Sequence, residues 1–312
     1  VDDMFMKILV PLDGSEVAEC VLPHVEAIAM SDASVHVTFL YVVQPLDYPL
    51  TDSKYRTHIE SEAREAAEDY LDRLQKKLEY NDRTQGIVVM DKAADGIIDY
   101  AEKNKMDLIV MASHGLSGKS KWHRGSVTDK VLHESEIPIL RIKATAPIKA
   151  FYSQGQKMMM VVPLDGSESA EVVLDYVEDI SKQFGGETVD IVLLRVCELF
   201  LHPQLHYPPP MSLSWPEYLE YETNQCKEIC STYLNKIDER LKSDGITARI
   251  EIPVGNPIET IVEYANKNNA GLLVLSTHGH TGFREWLLGN ITNKVMKTAL
   301  TPVLLIRAPV KR

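Results

Sequence analysis

Apolar residues along this chain follow two rhythms, short compact runs and longer stretches of helical spacing, and the two alternate. Residues 6–10, apart from Lys7, and 158–162 are apolar runs, each leading into Pro-Leu-Asp-Gly-Ser. A strand without polar alternation is buried on both faces, as in a parallel sheet covered by helices. Residues 16–30 then carry Val17, Val21, Leu22, Val25 and Ile28 at helical spacing, so strand, turn and helix open a βαβ unit. The pattern continues with a strand at 35–43, an amphipathic helix from about 60 to 78, a strand at 86–90, a helix at 95–104 and a strand at 108–112. After a glycine-punctuated loop come a helix near 127–133 and a last strand at 139–142. Five strands alternating with four helices predict an α/β unit with a doubly wound, mainly parallel five-stranded sheet.

The pattern is written twice. Residues 11–16 and 163–168 are the same hexamer, and the loop from Ala112 to Gly118 returns from Ser276 to Gly282. Gly125 and Ser126 return as Gly289 and Asn290, and Ile137 and Pro138 as Thr301 and Pro302. The offset is 152 between Asp13 and Asp165, 154 between Val43 and Cys197, and 164 between Gly96 and Thr260. The second copy has therefore gained two residues before its second strand and ten after it. Those ten fall in a Pro- and aromatic-rich segment, 202–216, which reads as a surface loop. The chain is expected to hold two tandem Rossmann-like domains, 1–145 and 156–312, packed about a pseudo-twofold axis as an intramolecular pseudo-dimer. Pairing of two whole chains stays open.

Composition changes this picture little, since 45% hydrophobic and 25% charged residues describe a globular chain with ample core. No apolar run reaches the roughly 18 residues a membrane span needs, and no leader pattern opens the sequence. No membrane partner is therefore expected, and the cytoplasm is the expected location. Charge excludes more: the net −12 is shared by both halves, and either would be repelled by a nucleic-acid backbone. One stretch runs the other way, because residues 108–128 contain no acid but include Lys119, Lys121 and Arg124, where a small anion is welcome. Cys20, Cys197, Cys226 and Cys230 are too few and too dispersed to suggest a disulfide framework. Cys226 and Cys230, spaced i, i+4 with no histidine nearby, are expected at core or neutral helix positions rather than on a metal.

Candidate chemistry follows strands one and four, whose carboxyl ends share a crevice if the strand order is the usual one for such a sheet. Gly115 and Gly118, then Gly125 and Ser126 opening a helix, let backbone N–H groups curl around an anion beside a helix N-terminus. A plain strand-to-helix connection with a serine cap is the alternative. The loop is neither a Walker A sequence nor a GxGxxG turn. Asp13 and Asp165 end strand one, where a carboxylate can accept bonds from ribose hydroxyls, though Asp-x-x-Glu before a helix also resembles a capping box. His114 and His278 are expected to be structural loop residues, since no nucleophile, acid–base pair or metal set accompanies them.

These residues resemble the universal stress protein family. The resemblance rests on the strand-one aspartate, on the Gly-x2-Gly-x9-Gly-Ser/Thr pattern and on the final strand, and it covers both halves. The pattern falls on Ala112, Gly115, Gly125 and Ser126, and on Ser276, Gly279, Gly289 and Asn290. The resemblance implies an adenine nucleotide, ATP or else ADP or AMP, with Mg2+ as the accompanying cation. Asp13 and Asp165, with Pro11 and Pro163 beside them, would meet the ribose, and the backbone at Val42 and Val196 the adenine. The glycine loops, with Gly118 and Gly282, and Ser126-Val127 or Asn290-Ile291 would hold phosphates. Val254-Gly255-Asn256-Pro257 is similar to a family segment near the adenine, which in the first half reads Met90-Asp91-Lys92-Ala93. Ala112 and Ser276 stand where the first glycine belongs, and Asn290 where a hydroxyl belongs. A nucleotide-binding stress-response regulator without catalytic residues is the leading expectation. A dimerisation scaffold with a vestigial crevice and a slow ATP hydrolase are the alternatives.

Overall fold

The structure, a computed structural model, describes residues 5–46, 53–113, 126–146, 157–199, 214–277 and 289–308. The first half runs β1 (Lys7–Leu12), α1 (Glu16–Glu19), α2 (Leu22–Ser31), β2 (His36–Val43), α3 (Ser53–Gln75), β3 (Thr84–Met90), α4 (Ala93–Lys103), β4 (Leu108–Ser113), α5 (Ser126–Glu134) and β5 (Ile139–Lys143). The second half repeats it as β6 (Met158–Pro163), α6 (Glu168–Glu171), α7 (Val173–Gln183), β7 (Val189–Leu194), α8 (Trp215–Ser243), β8 (Ala248–Glu251), α9 (Pro257–Lys267), β9 (Leu272–Ser276), α10 (Asn290–Thr298) and β10 (Val303–Ile306).

The described strands form one ten-stranded sheet in the order β3-β2-β1-β4-β5-β10-β9-β6-β7-β8. Pairing is parallel everywhere except at the joint, where β5 meets β10 antiparallel. Leu140 lies opposite Leu304, its own repeat counterpart, with Arg141 opposite Val303 and Ile139 opposite Leu305 on either side. A pseudo-twofold axis therefore passes through the Leu140–Leu304 pair. Two apolar layers cover the sheet, one under α2, α3, α7 and α8 and the other under α4, α5, α9 and α10, and each draws residues from both halves. In β1, Ile8 and Val10 enter the first layer and Leu9 the second, all fully buried, which is why the strand reads as an unalternated apolar run.

Three expectations need correction. The helix expected over 16–30 is two helices, broken at Cys20–Val21, and the same break separates α6 from α7 although only the first half has a proline, Pro23, in the following turn. Turning the chain there sinks Val21 and Val173 fully into the core. α3 starts at Ser53 instead of near residue 60, because its first turns are polar and carry no apolar stripe to read. Cys197 and Cys226 are joined in a disulfide, with Cα atoms 5.9 Å apart. Cys197 lies just past β7 and Cys226 on α8, so the fold closes a distance that spacing along the chain conceals. Cys20 and Cys230 are free and buried, as core positions.

Candidate functional site

Because β1 pairs with β4 and β6 with β9, the turn after the first strand of each half opens beside the end of its fourth. Each half thus forms one crevice at the carboxyl edge of its strands, where doubly wound sheets bind ligands. The antiparallel joint turns the halves end for end, so the two crevices open on opposite edges of the common sheet.

The Asp-Gly-Ser turn has the same construction twice. The Ser15 amide and hydroxyl donate to Asp13 Oδ1 at 3.0 and 2.6 Å, and the Ser15 hydroxyl accepts from Ala18 N at 3.1 Å. Ser167 repeats this with Asp165 Oδ1 at 2.9 and 2.6 Å and with Ala170 N at 3.1 Å. The helix is capped by the serine and not by the aspartate, so the capping-box alternative does not apply to Asp13 or Asp165. Each serine holds one carboxylate oxygen and so fixes the direction of the whole carboxylate. Gly14 and Gly166, at φ +80° and +88°, make the turn possible, because a side chain there is strained. Pro11 lies within β1, and Pro163 ends β6.

Deeper in the crevice runs the end of the second strand. In the second half, Arg195 N and Cys197 N donate to Glu251 O and Pro253 O, and Cys197 O accepts from Gly255 N at 3.1 Å. Alternation along the strand therefore turns Val196 N–H and C=O towards the β6 side, beyond the last β6–β7 bond. Among the described residues neither group has a partner. Val42 holds the equivalent place in the first half, where Asp91 N donates to Val43 O at 3.1 Å as Gly255 N does to Cys197 O. Asn256 caps α9, accepting from Ile258 N and Glu259 N, with Pro257 as first helical residue.

At the other wall, α5 and α10 are tied to the ends of β4 and β9 by two threonines that sequence reasoning missed. Thr128 Oγ1 donates to Ala112 O at 3.0 Å, and Thr292 Oγ1 to Ser276 O at 2.9 Å. Their recurrence two residues after Gly-Ser and Gly-Asn was the available signal. Gly289 is the N-cap of α10, its N–H donating to Thr277 O at 2.8 Å, so exposed Asn290 is the first helical residue and caps nothing. Ser126 likewise opens α5, followed by half-buried Val127, and Ile291 follows Asn290 with 39% of its surface exposed. Gly115, Gly118, Gly125, Gly279 and Gly282 lie outside the described residues, as do His114, His278, Lys119, Lys121 and Arg124. Among the described residues no group of three or more His, Cys, Asp or Glu is placed to ligate a metal, and no helix is long and apolar enough to cross a membrane.

Comparison with known proteins follows the same division. The model of the universal stress protein family matches residues 4–143 and again 158–307. A universal stress protein of Mycolicibacterium smegmatis is 24% identical over 288 residues, covering 89% of this chain and 90% of its own. One from Methanocaldococcus jannaschii is 30% identical over 152 residues, covering 49% of this chain and 83% of its own. Among solved structures, a universal stress protein from Archaeoglobus fulgidus superposes with a TM-score of 0.69 at 21% identity, covering 98% of this chain and 99% of that one.

Proposed function

The chain belongs to the universal stress protein family, and on that premise we propose that it binds an adenine nucleotide in each half and uses occupancy, without turnover, as a regulatory signal. The observation that carries the reading is the unpartnered Val196 main chain beside the serine-held carboxylate of Asp165. An N–H donor and a C=O acceptor on one residue complement the N1 acceptor and N6 donor of adenine, and the carboxylate stands one strand away to accept from ribose hydroxyls. The phosphates then run towards the N-terminus of α5 or α10, where helical N–H groups lack intrahelical partners. Asn290, the first residue inside α10 and not its cap, would offer its side chain to the phosphates. Mg2+ would accompany the phosphates of ATP.

Calorimetric titration of nucleotide-stripped protein with ATP and Mg2+ tests this. Two sites are expected, with Gly115→Val removing one and Gly279→Val the other while the fold persists. Absence of heat and of saturation at millimolar ATP overturns the reading in favour of a scaffold whose crevices are vestigial.

A further inference from the structure

One of the differences between the two crevices lies in the wall beside the Asp-Gly-Ser turn. Tyr41 in the first half becomes Arg195 in the second, each standing just before the valine whose main chain faces the crevice. Tyr41 donates its hydroxyl to Asp13 O at 3.3 Å and meets Tyr70 edge to face, with ring centroids 6.0 Å apart. Arg195 instead lays its guanidinium over the ring of Tyr233, 4.7 Å from the centroid. Its nitrogens come within 3.0 Å of the point where a Cβ on Gly166 would sit, so the bare glycine admits the cation against the turn that carries Asp165. Among the described residues Arg195 makes no ion pair and no side-chain hydrogen bond.

A half-buried guanidinium held flat by an aromatic ring, with its N–H fork unspent, is suited to an oxyanion that takes two donors at once, phosphate above all. Its place decides which phosphate. Next to the carboxylate that would hold the ribose, the group within reach is one carried by the sugar, as in dinucleotide folds where an arginine near the acidic residue accommodates a ribose phosphate. In the first half Tyr41 takes the place of Arg195, so among the described residues no guanidinium stands beside the equivalent carboxylate. We infer that the second crevice takes an adenine nucleotide bearing a phosphate monoester on its ribose, at the 2′ or 3′ position, and that Arg195 reads that phosphate. The inference rests on the nucleotide reading above and adds a ligand class to one of its two sites.

The test is titration of the nucleotide-stripped full chain with AMP, adenosine 2′,5′-bisphosphate and adenosine 3′,5′-bisphosphate. AMP is expected to fill both sites, and one bisphosphate to bind a single site about tenfold more tightly than AMP does. Arg195→Tyr, which installs the first half's own residue, is expected to bring that ratio down to about one while the first site titrates as before. Tyr41→Arg is expected to confer the same preference on the first site. If AMP binds and neither bisphosphate is preferred, or the preference survives Arg195→Tyr, the inference falls and the nucleotide reading stands. If none of the three binds, both fall.

Discussion

Two facing positions at the start of α4 and α9 exchange bulk between the halves. A Cβ on Gly96 would lie 3.1 Å from Asp91 Cβ, and one on Gly255 would lie 2.6 Å from Thr260 Oγ1. Asp91 goes with Gly96, and Gly255 with Thr260, so each pair keeps one member without a side chain. Gly255→Asp is expected to cost about 1–3 kcal/mol through overpacking, and Thr260→Gly in the same chain to recover part of it. Strictly additive losses in a urea double-mutant cycle would show that the positions share no space. The departure at Asp91, read from the sequence as a break in the family pattern, is thus half of a compensated pair whose other half only the fold reveals. Acid stability turns on His24, which is 3% exposed and held by burial at about 4, from an ordinary value of 6.5. The unfolded chain takes up a proton that the folded chain refuses. Stability from the neutral ring is therefore whole above about pH 6.5 and drains away as pH falls towards 4. Relative to His24→Leu, the natural chain should lose up to about 3 kcal/mol across that interval. Parallel pH profiles for the two would refute this.

Elements were legible where one physical rule decided them. Strands buried on both faces announce themselves as apolar runs, and the Asp-Gly-Ser turn is marked by its residue types. What stayed hidden depends on contacts between distant segments. Arg195 looks like any strand-end cation until Tyr233 and Gly166 are beside it. Thr128 and Thr292 are ordinary first-turn threonines until the carbonyls of Ala112 and Ser276 reach them. The disulfide is the clearest case, joining α8 to the end of β7 across 29 residues that include the insertion. Chain-entropy reasoning gives such a link about 3.5 kcal/mol. Dithiothreitol is expected to lower the unfolding midpoint of the natural chain and leave that of Cys226→Ser unmoved. An equal response in both would mean that the bond contributes nothing to stability.

For the molecule as a whole, the joint decides cooperativity. Lys143 on β5 donates to Lys297 O and Thr298 O at the end of α10, both at 3.2 Å. Arg307, its repeat counterpart, donates to His133 O and Ser135 O at the end of α5, at 3.1 and 2.8 Å. Each half thus supplies a cation to the carbonyl end of a helix in the other, where a positive charge is favoured. Buried Arg141 adds a bond to Ala299 O across the same seam and one to Ser113 Oγ within its own half, with burial drawing its guanidinium down to about 10. Arg307→Met should cost about 1.5–3 kcal/mol, and the more exposed Lys143 less. Because both apolar layers run through the seam, unfolding should remain one transition in each variant. Two separate calorimetric peaks in the natural chain would disprove that continuity. The same seam bears on inheritance. Identical subunits pairing through such an edge would have to write every substitution into both seats at once, and two different subunits would have to sort like from unlike pairs. A single reading frame escapes both constraints: each translated molecule delivers two seats in fixed one-to-one dosage, and a change such as tyrosine to arginine can be tried in one while its twin is spared.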